Sequence, residues 1–344
     1  MLQYKMKKII FLFFLILASN VGAQNKITDF SLKSLQSYPY KTSPITIQKL
    51  VFKNALQYAY NVTYTSMNLT VSARLSIPNM KQENIKGIVI MLRGHQFPGN
   101  YYTGKGTEHP AKGYLQRGWA VIAPDFFGYG SSSQTPAPES LHQLYCTINA
   151  IELYKSLDSA GNKALKGDNS STTNNLFNFN AAVPQADRIS LPANFKKIVI
   201  WSHSNGGQVA LHFLTIIQKP VTTVLWAPVS LAYPDSAAHY SRNPELAENF
   251  KREYPAKDFS YFTYLDKIAP NTPILLEQGD KDRGVPKAWN DALSQAITEE
   301  NLRREKAGIG KIILRYEVYT NADHNLNPYW STVLPRDVAF WEQY

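Results

Sequence analysis

The strongest constraint on this chain is a set of short, unbroken apolar runs: "IKGIVIML", "WAVIAP", "KKIVIW", "TTVLWAPV" and "TPILLE". None alternates polar with apolar residues, as a strand with one wet face would, so each reads as a strand covered on both sides. Helical patterns lie between them, near 139–158, from about Asn205, and over "KAWNDALSQAITEENLRREKA" and "PRDVAFWEQY". Buried strands alternating with helices predict an α/β chain with a mostly parallel, doubly wound sheet. The 344 residues, 44% of them apolar, suffice for one large core.

The first residues are expected to lie outside that core. "MLQYKMKK" is a basic lead, "IIFLFFLILA" an apolar stretch, and "SNVGAQ" ends in small residues. Together they read as a secretory signal over residues 1–23, cut after Ala23, with an uncleaved anchor as the alternative. The apolar stretch is short for a membrane span, so no stable insertion is expected after cleavage, and the expected location is periplasmic or secreted. Lys5, Lys7 and Lys8 leave with the signal and take the formal charge from +10 to +7. The remaining basic residues form no dense run, so nucleic acid is not an expected partner.

Cys146 is the single cysteine, in the apolar helical pattern "SLHQLYCTINAIELYKSL", and reads as a small core residue. No Cys/His cluster has the spacing of a metal site, and neither a metal nor an organic cofactor is expected. Residues 24–80 read as a β-rich N-terminal extension, because "LQYAYNVTYTSMNLTVSARLSIP" alternates and is rich in Val, Thr and Tyr. Residues 81–344 read as the main α/β domain, with a polar insertion at about 159–190 and a cap at about 233–268.

Within "KKIVIWSHSNGGQVALHFL" a strand gives way to a helix through Ser-His-Ser-Asn-Gly-Gly. A serine hydroxyl becomes a nucleophile when a base takes its proton and donors stabilise the resulting oxyanion, and a tight strand-to-helix turn presents it for both. Such a turn needs small residues two positions to either side. With Ser204 as nucleophile those positions are Ser202 and Gly206; with Ser202 they are Ile200 and Ser204, and a β-branched residue fits badly. Ser204 is the candidate.

The sequence resembles the α/β-hydrolase superfamily, especially its secreted esterase and prolyl-oligopeptidase-like branches, from about Ile85 to the C-terminus. The family's turn reads Gly-x-Ser-x-Gly, and Ser202–Gly207 matches it except that Ser202 stands for the first glycine. The resemblance implies the order serine, acid, histidine, each after a strand. "PILLEQGDKDRGVP" is similar to the acid segment and offers Asp280 and Asp282; by motif position Asp282 orients the histidine and Asp280 braces the turn. His324, in "LRYEVYTNADHNLNP", is then the general base. An oxyanion hole is implied from the backbone N–H of Asn205 and of His95 in "RGHQFPG", with Gln96 as the alternative. Arg93, where the family has histidine, is read as a brace, and Asp125 in "APDFFGYGSS" as a lock between loops.

These residues imply a serine hydrolase of carboxylic esters, acting on a small-molecule ester or an acylated carbohydrate. The 60 or so residues ahead of the hydrolase segment are too few for a propeller, whose blades take about 40–45 residues each. A propeller-free peptidase on short peptides is one alternative; an inactive fold used for binding is another. The aromatic residues Tyr240, Tyr254, Phe259, Tyr261, Phe262 and Tyr264 either line a substrate site or pack the cap's own core.

Overall fold

The computed structural model describes residues 27–165, 176–189, 191, 195–241 and 244–344. The expected signal segment and the middle of the polar insertion lie outside these residues. Among the described residues the strands are β1 (Ile45–Lys53), β2 (Gln57–Ser66), β3 (Leu69–Pro78), β4 (Gly87–Leu92), β5 (Trp119–Pro124), β6 (Phe177–Phe179), β7 (Ile198–His203), β8 (Thr223–Trp226), β9 (Pro273–Gly279) and β10 (Ile313–Tyr319). They form one sheet in the order β10-β9-β8-β7-β4-β5-β3-β2-β1-β6.

From β5 through β4, β7, β8 and β9 to β10 all neighbours are parallel. Beyond β5 the pairings to β3, β2 and β1 are antiparallel. The β-rich lead-in is therefore hydrogen-bonded into the same sheet. At the far end of the polar segment, β6 pairs with β1 in parallel, and Phe177 and Val183 are buried, so that end is packed against the sheet.

The strand order explains where a site can form. The chain steps from β4 to β5 in one direction and then resumes at β7 on the other side of β4. The loops leaving β4 and β7 therefore diverge, and the crevice between them lies beyond the carboxyl ends of the parallel strands.

Side chains alternate between the two faces. Ile88, Ile90, Leu92 and Ile200 join one core, beneath α3 (His142–Leu165) and α4 (Asn205–Ile217), which follow α1 (Leu32–Gln36) and α2 (Glu108–Leu115) in the chain. Val89, Met91, Val199 and Trp201 join the other, against α2 and the last helix, Trp330–Gln343. Because both faces are covered, the strands lack polar alternation.

The expected cap lies between β8 and β9. It comprises α5 (Tyr233–Ser241), α6 (Pro244–Glu253), α7 (Ala256–Phe259) and a 3-10 turn, Tyr261–Lys267. Tyr254, Phe259 and Tyr261 are buried there, Phe262 and Tyr264 half-buried, and Tyr240 exposed. Phe250 stacks on Tyr254 at 4.4 Å, so these aromatics mainly pack the cap itself. After α8 (Lys287–Lys306), the last helix is α9 (Trp330–Gln343).

A buried carboxyl pair ties α9 to the sheet. Tyr114 Oη and Trp226 Nε1 donate to Asp337 Oδ2 at 2.6 and 3.0 Å, and Tyr319 Oη donates to Glu277 Oε1 at 2.5 Å. Glu277 and Asp337 also influence each other's charge, while the second oxygen of each, Oε2 and Oδ1, is buried without a hydrogen-bond partner among the described residues. Burial raises both: Glu277 to about 7, and Asp337 well above the ordinary range, with the nearby Glu277 charge adding to it. Among the described residues no helix is long and apolar enough to cross a membrane.

Candidate active site

Ser204 lies between the end of β7 and the start of α4, with φ +55° and ψ −121°. A non-glycine residue held at such angles costs on the order of 1–3 kcal/mol, so the surroundings must enforce it. Ser204 N–H donates to Trp226 O at 3.1 Å, while Ser204 O accepts from the N–H groups of Gly207 and Val229 at 2.9 Å each. Gly206 admits no side chain, because a Cβ there would lie 2.0 Å from Leu92 O.

Ser202 is fully buried, and its hydroxyl donates to Val224 O at 3.3 Å within the sheet. Ser204 is half-buried at the apex of the turn. The loop after β4 crosses close to it, since a Cβ on Gly94 would stand 3.0 Å from Ser204 Cβ.

His324 and Asp282 follow β10 and β9. His324 Nδ1 lies 2.8 Å from Asp282 Oδ2. Asp282 Oδ1 accepts from Gly284 N and Val285 N at 2.7 and 2.9 Å, and Oδ2 also accepts from Gln278 Nε2 at 3.1 Å. Burial alone would raise this carboxyl. The His324 hydrogen bond and charge, with the Val285 N–H and the Gln278 amide, outweigh it and hold Asp282 below the ordinary value. An ionised Asp282 accepts from Nδ1–H and leaves Nε2 of a neutral imidazole free as a base. Asp280 does different work, accepting from Asn321 N at 2.6 Å and tying the acid turn to the loop after β10.

His203 precedes Ser204 in the chain and meets His324, with ring centroids 4.6 Å apart. Its Nε2 donates to the His324 carbonyl at 2.9 Å. Burial, then repulsion from His324, lowers His203 to about 4, so it is neutral and keeps the proton that this bond needs. Sequence reasoning missed His203 and Gln278. Their contacts are long-range, and the only local signal was that each adjoins a motif residue.

On the other side of Ser204, Arg93 is buried and donates to Asp125 O at 2.7 Å, Gly94 O at 3.0 Å and Tyr101 Oη at 3.2 Å. Its guanidinium lies 4.1 Å over the Tyr129 ring. Asp125 in turn accepts from Ser72 Oγ at 2.5 Å, Tyr101 Oη at 2.6 Å and Gly104 N at 3.0 Å. Arg93 thus braces the loop after β4, and Asp125 locks it to β3. In that loop His95 is exposed, and Gln96 is half-buried with its carbonyl accepting from Tyr129 Oη at 2.9 Å. Asn205 is the first residue of α4, where an N–H has no acceptor within the helix and the helix dipole favours negative charge.

Neither a protein-family model nor a curated protein sequence matches this chain. Solved structures do. Est1E from Butyrivibrio proteoclasticus, with ferulic acid bound, aligns with TM-score 0.54 at 14% identity, over 82% of this chain and 98% of its own. Acetyl xylan esterase 1 from Thermoanaerobacterium sp. aligns with TM-score 0.51 at 14% identity, over 93% and 96%. A puromycin-hydrolyzing peptidase from Mycobacterium tuberculosis aligns with TM-score 0.52 at 14% identity, over 85% of this chain and 40% of its own.

The chain has the α/β-hydrolase fold. Within this α/β-hydrolase sheet, Ser204, Asp282 and His324 leave the carboxyl ends of β7, β9 and β10, in the chain order serine, acid, histidine. The strand-to-helix turn around Ser204 carries a serine at its first small position, where Ser202 is accommodated by bonding sideways to β8.

Proposed function

We propose that the chain is a serine hydrolase of carboxylic esters that works through an acyl-enzyme, with Ser204 as nucleophile, His324 as general base and Asp282 as the carboxylate that orients it. The observation that carries this reading is the 2.8 Å Asp282–His324 bond, with His324 in ring contact with His203, the residue before a serine held at positive φ. The N–H groups of Asn205 and His95 are assigned to the oxyanion hole, with Gln96 as the substitute for His95. Ser204 Oγ bonds to the ester carbonyl carbon as His324 Nε2 takes its proton. That proton then goes to the alcohol oxygen as the C–O bond breaks. Water, deprotonated by His324, releases the acid and restores Ser204.

The esterases among the structural neighbours favour an ester, such as an acetylated or feruloylated one. The similarity to the puromycin-hydrolyzing peptidase supports a second reading, cleavage of short peptides. Export through the N-terminal segment, with residues 24–344 as the mature enzyme, belongs to the same proposal.

A fluorophosphonate probe followed by mass spectrometry tests it. Labelling is expected at Ser204, retained in Ser202→Ala and lost in Ser204→Ala, with hydrolysis of 4-nitrophenyl acetate falling roughly a millionfold in the latter. A folded protein that takes no label refutes the enzyme reading.

A further inference from the structure

Beside His203 and His324, on the face of the sheet opposite α4, lies a cleft of about 530 Å³. Trp201 and Trp226 are the buried part of its lining, and Trp330, Asn325, Glu108 and His109 line it nearer the surface. Two of its three tryptophans are pinned by hydrogen bonds. Trp226 Nε1 is bonded to Asp337, and Trp330 Nε1 donates to Asn325 O at 2.6 Å. Trp226 meets Trp201 and Trp330 edge-on at 5.2 and 5.8 Å, and His109 stands edge-on to Trp330 at 5.8 Å.

The polar groups are of a different kind. The Asn325 side-chain amide has no partner among the described residues, and the Glu108 carboxylate accepts from Gly106 N at 2.8 Å. Fixed aromatic surface beside an unpartnered amide and a carboxylate suits a neutral ring with an apolar C–H face and hydroxyls at its edge. The carboxylate disfavours an anion.

Position assigns the cleft a role, given the ester hydrolysis proposed above. The departing alcohol must take its proton from His324, so it leaves on the histidine's side. Two cleft residues flank that histidine: Asn325 follows it in the chain, and His203 is in ring contact with it. We infer that this cleft holds the alcohol half of the ester, and that this alcohol is a neutral pyranose sugar.

The test holds the acyl group constant and varies the alcohol. The kcat/KM for an acetylated methyl xyloside is measured against that for 4-nitrophenyl acetate in wild type, Asn325→Ala, His109→Ala and Trp330→Ala. Asn325 and His109 are exposed, so their variants are expected to fold. A fall of about tenfold in the sugar-to-nitrophenyl ratio in these two, and a larger one in Trp330→Ala, is expected. A ratio within about twofold of wild type in all three overturns the inference. If fluorophosphonate fails to label Ser204, the hydrolase reading fails separately. The cleft is then judged by tryptophan fluorescence of the wild-type protein titrated with methyl xyloside, where saturable change supports a sugar site and a flat response overturns it.

Discussion

Strand β9 delivers two buried carboxyl groups five positions apart, and they end in opposite states. Glu277, inside the strand, faces the Tyr319 hydroxyl and another carboxyl, and burial holds its pKa up. Asp282, just beyond the strand, faces His324 Nδ1, two backbone N–H groups and the Gln278 amide, and its pKa is held down. The side chains of both are fully buried. Loss of solvent contact at the side chain does not by itself decide the charge; at Asp282 the His324 contact and the N–H donors aimed at its oxygens outweigh it. One carboxyl is suited to hold an imidazole, the other to hold a helix.

The largest expected difference between the two regions is in turnover. Asp282→Asn should lower kcat for an ester by about 10³–10⁴-fold, because the imidazole loses its orienting anion. Glu277→Gln should leave kcat within roughly threefold of wild type. Equal losses in both variants would break the comparison.

Next in size is stability. Asp337→Ala leaves the Trp226 N–H and Tyr114 O–H without their acceptor and should cost about 2–4 kcal/mol in urea unfolding. A near-neutral result would show that the pair is dispensable to the fold.

The pH dependence carries opposite signs. Glu277 and Asp337 hold their protons more tightly folded than unfolded, so the stability they contribute is complete below the ordinary carboxylate range. It is lost as pH rises through the folded value, about 7 for Glu277. Asp282 has the reverse sense: its contribution is present above its unfolded pKa and is lost as pH falls through the lower folded value. The urea midpoint should therefore be lower at about pH 8 than at about pH 5, and Asp337→Asn should remove most of that difference.

The smallest effect tests the donor argument directly. Gln278→Ala deletes one donor to Asp282 and moves it toward the condition of Glu277. A fall in kcat of roughly tenfold is expected, with the acid limb of the pH–rate profile moving to higher pH.

The fold was legible because its cause is local. Apolar runs this short, without alternation and bounded by turn residues, read as strands covered on both sides, and the helical stretches between them favour parallel crossovers. Small residues around Ser204 marked the turn for the same reason, since Gly206 faces Leu92 O too closely to carry a side chain. The motif resemblance began only near Ile85, whereas the sheet begins at Ile45, because β1–β3 carry ordinary antiparallel alternation and no motif. The cap aromatics admitted two readings in sequence, and their burial favours self-packing at all but Tyr240 and the half-buried pair. The Glu277–Asp337 pair was invisible, because its members lie in separate patterns sixty residues apart. His203 was equally hidden: its neighbour in space, His324, comes from the last strand's loop.

The bond from His203 to the His324 carbonyl has a mechanical consequence. His324 is hung by its own backbone from the residue that precedes Ser204. Whatever tilts or slides the end of β7 thus carries Ser204 and His324 together, like two tools bolted to one arm. Breathing of the sheet can shift the site as a whole while leaving the spacing between Ser204 and His324 almost unaltered.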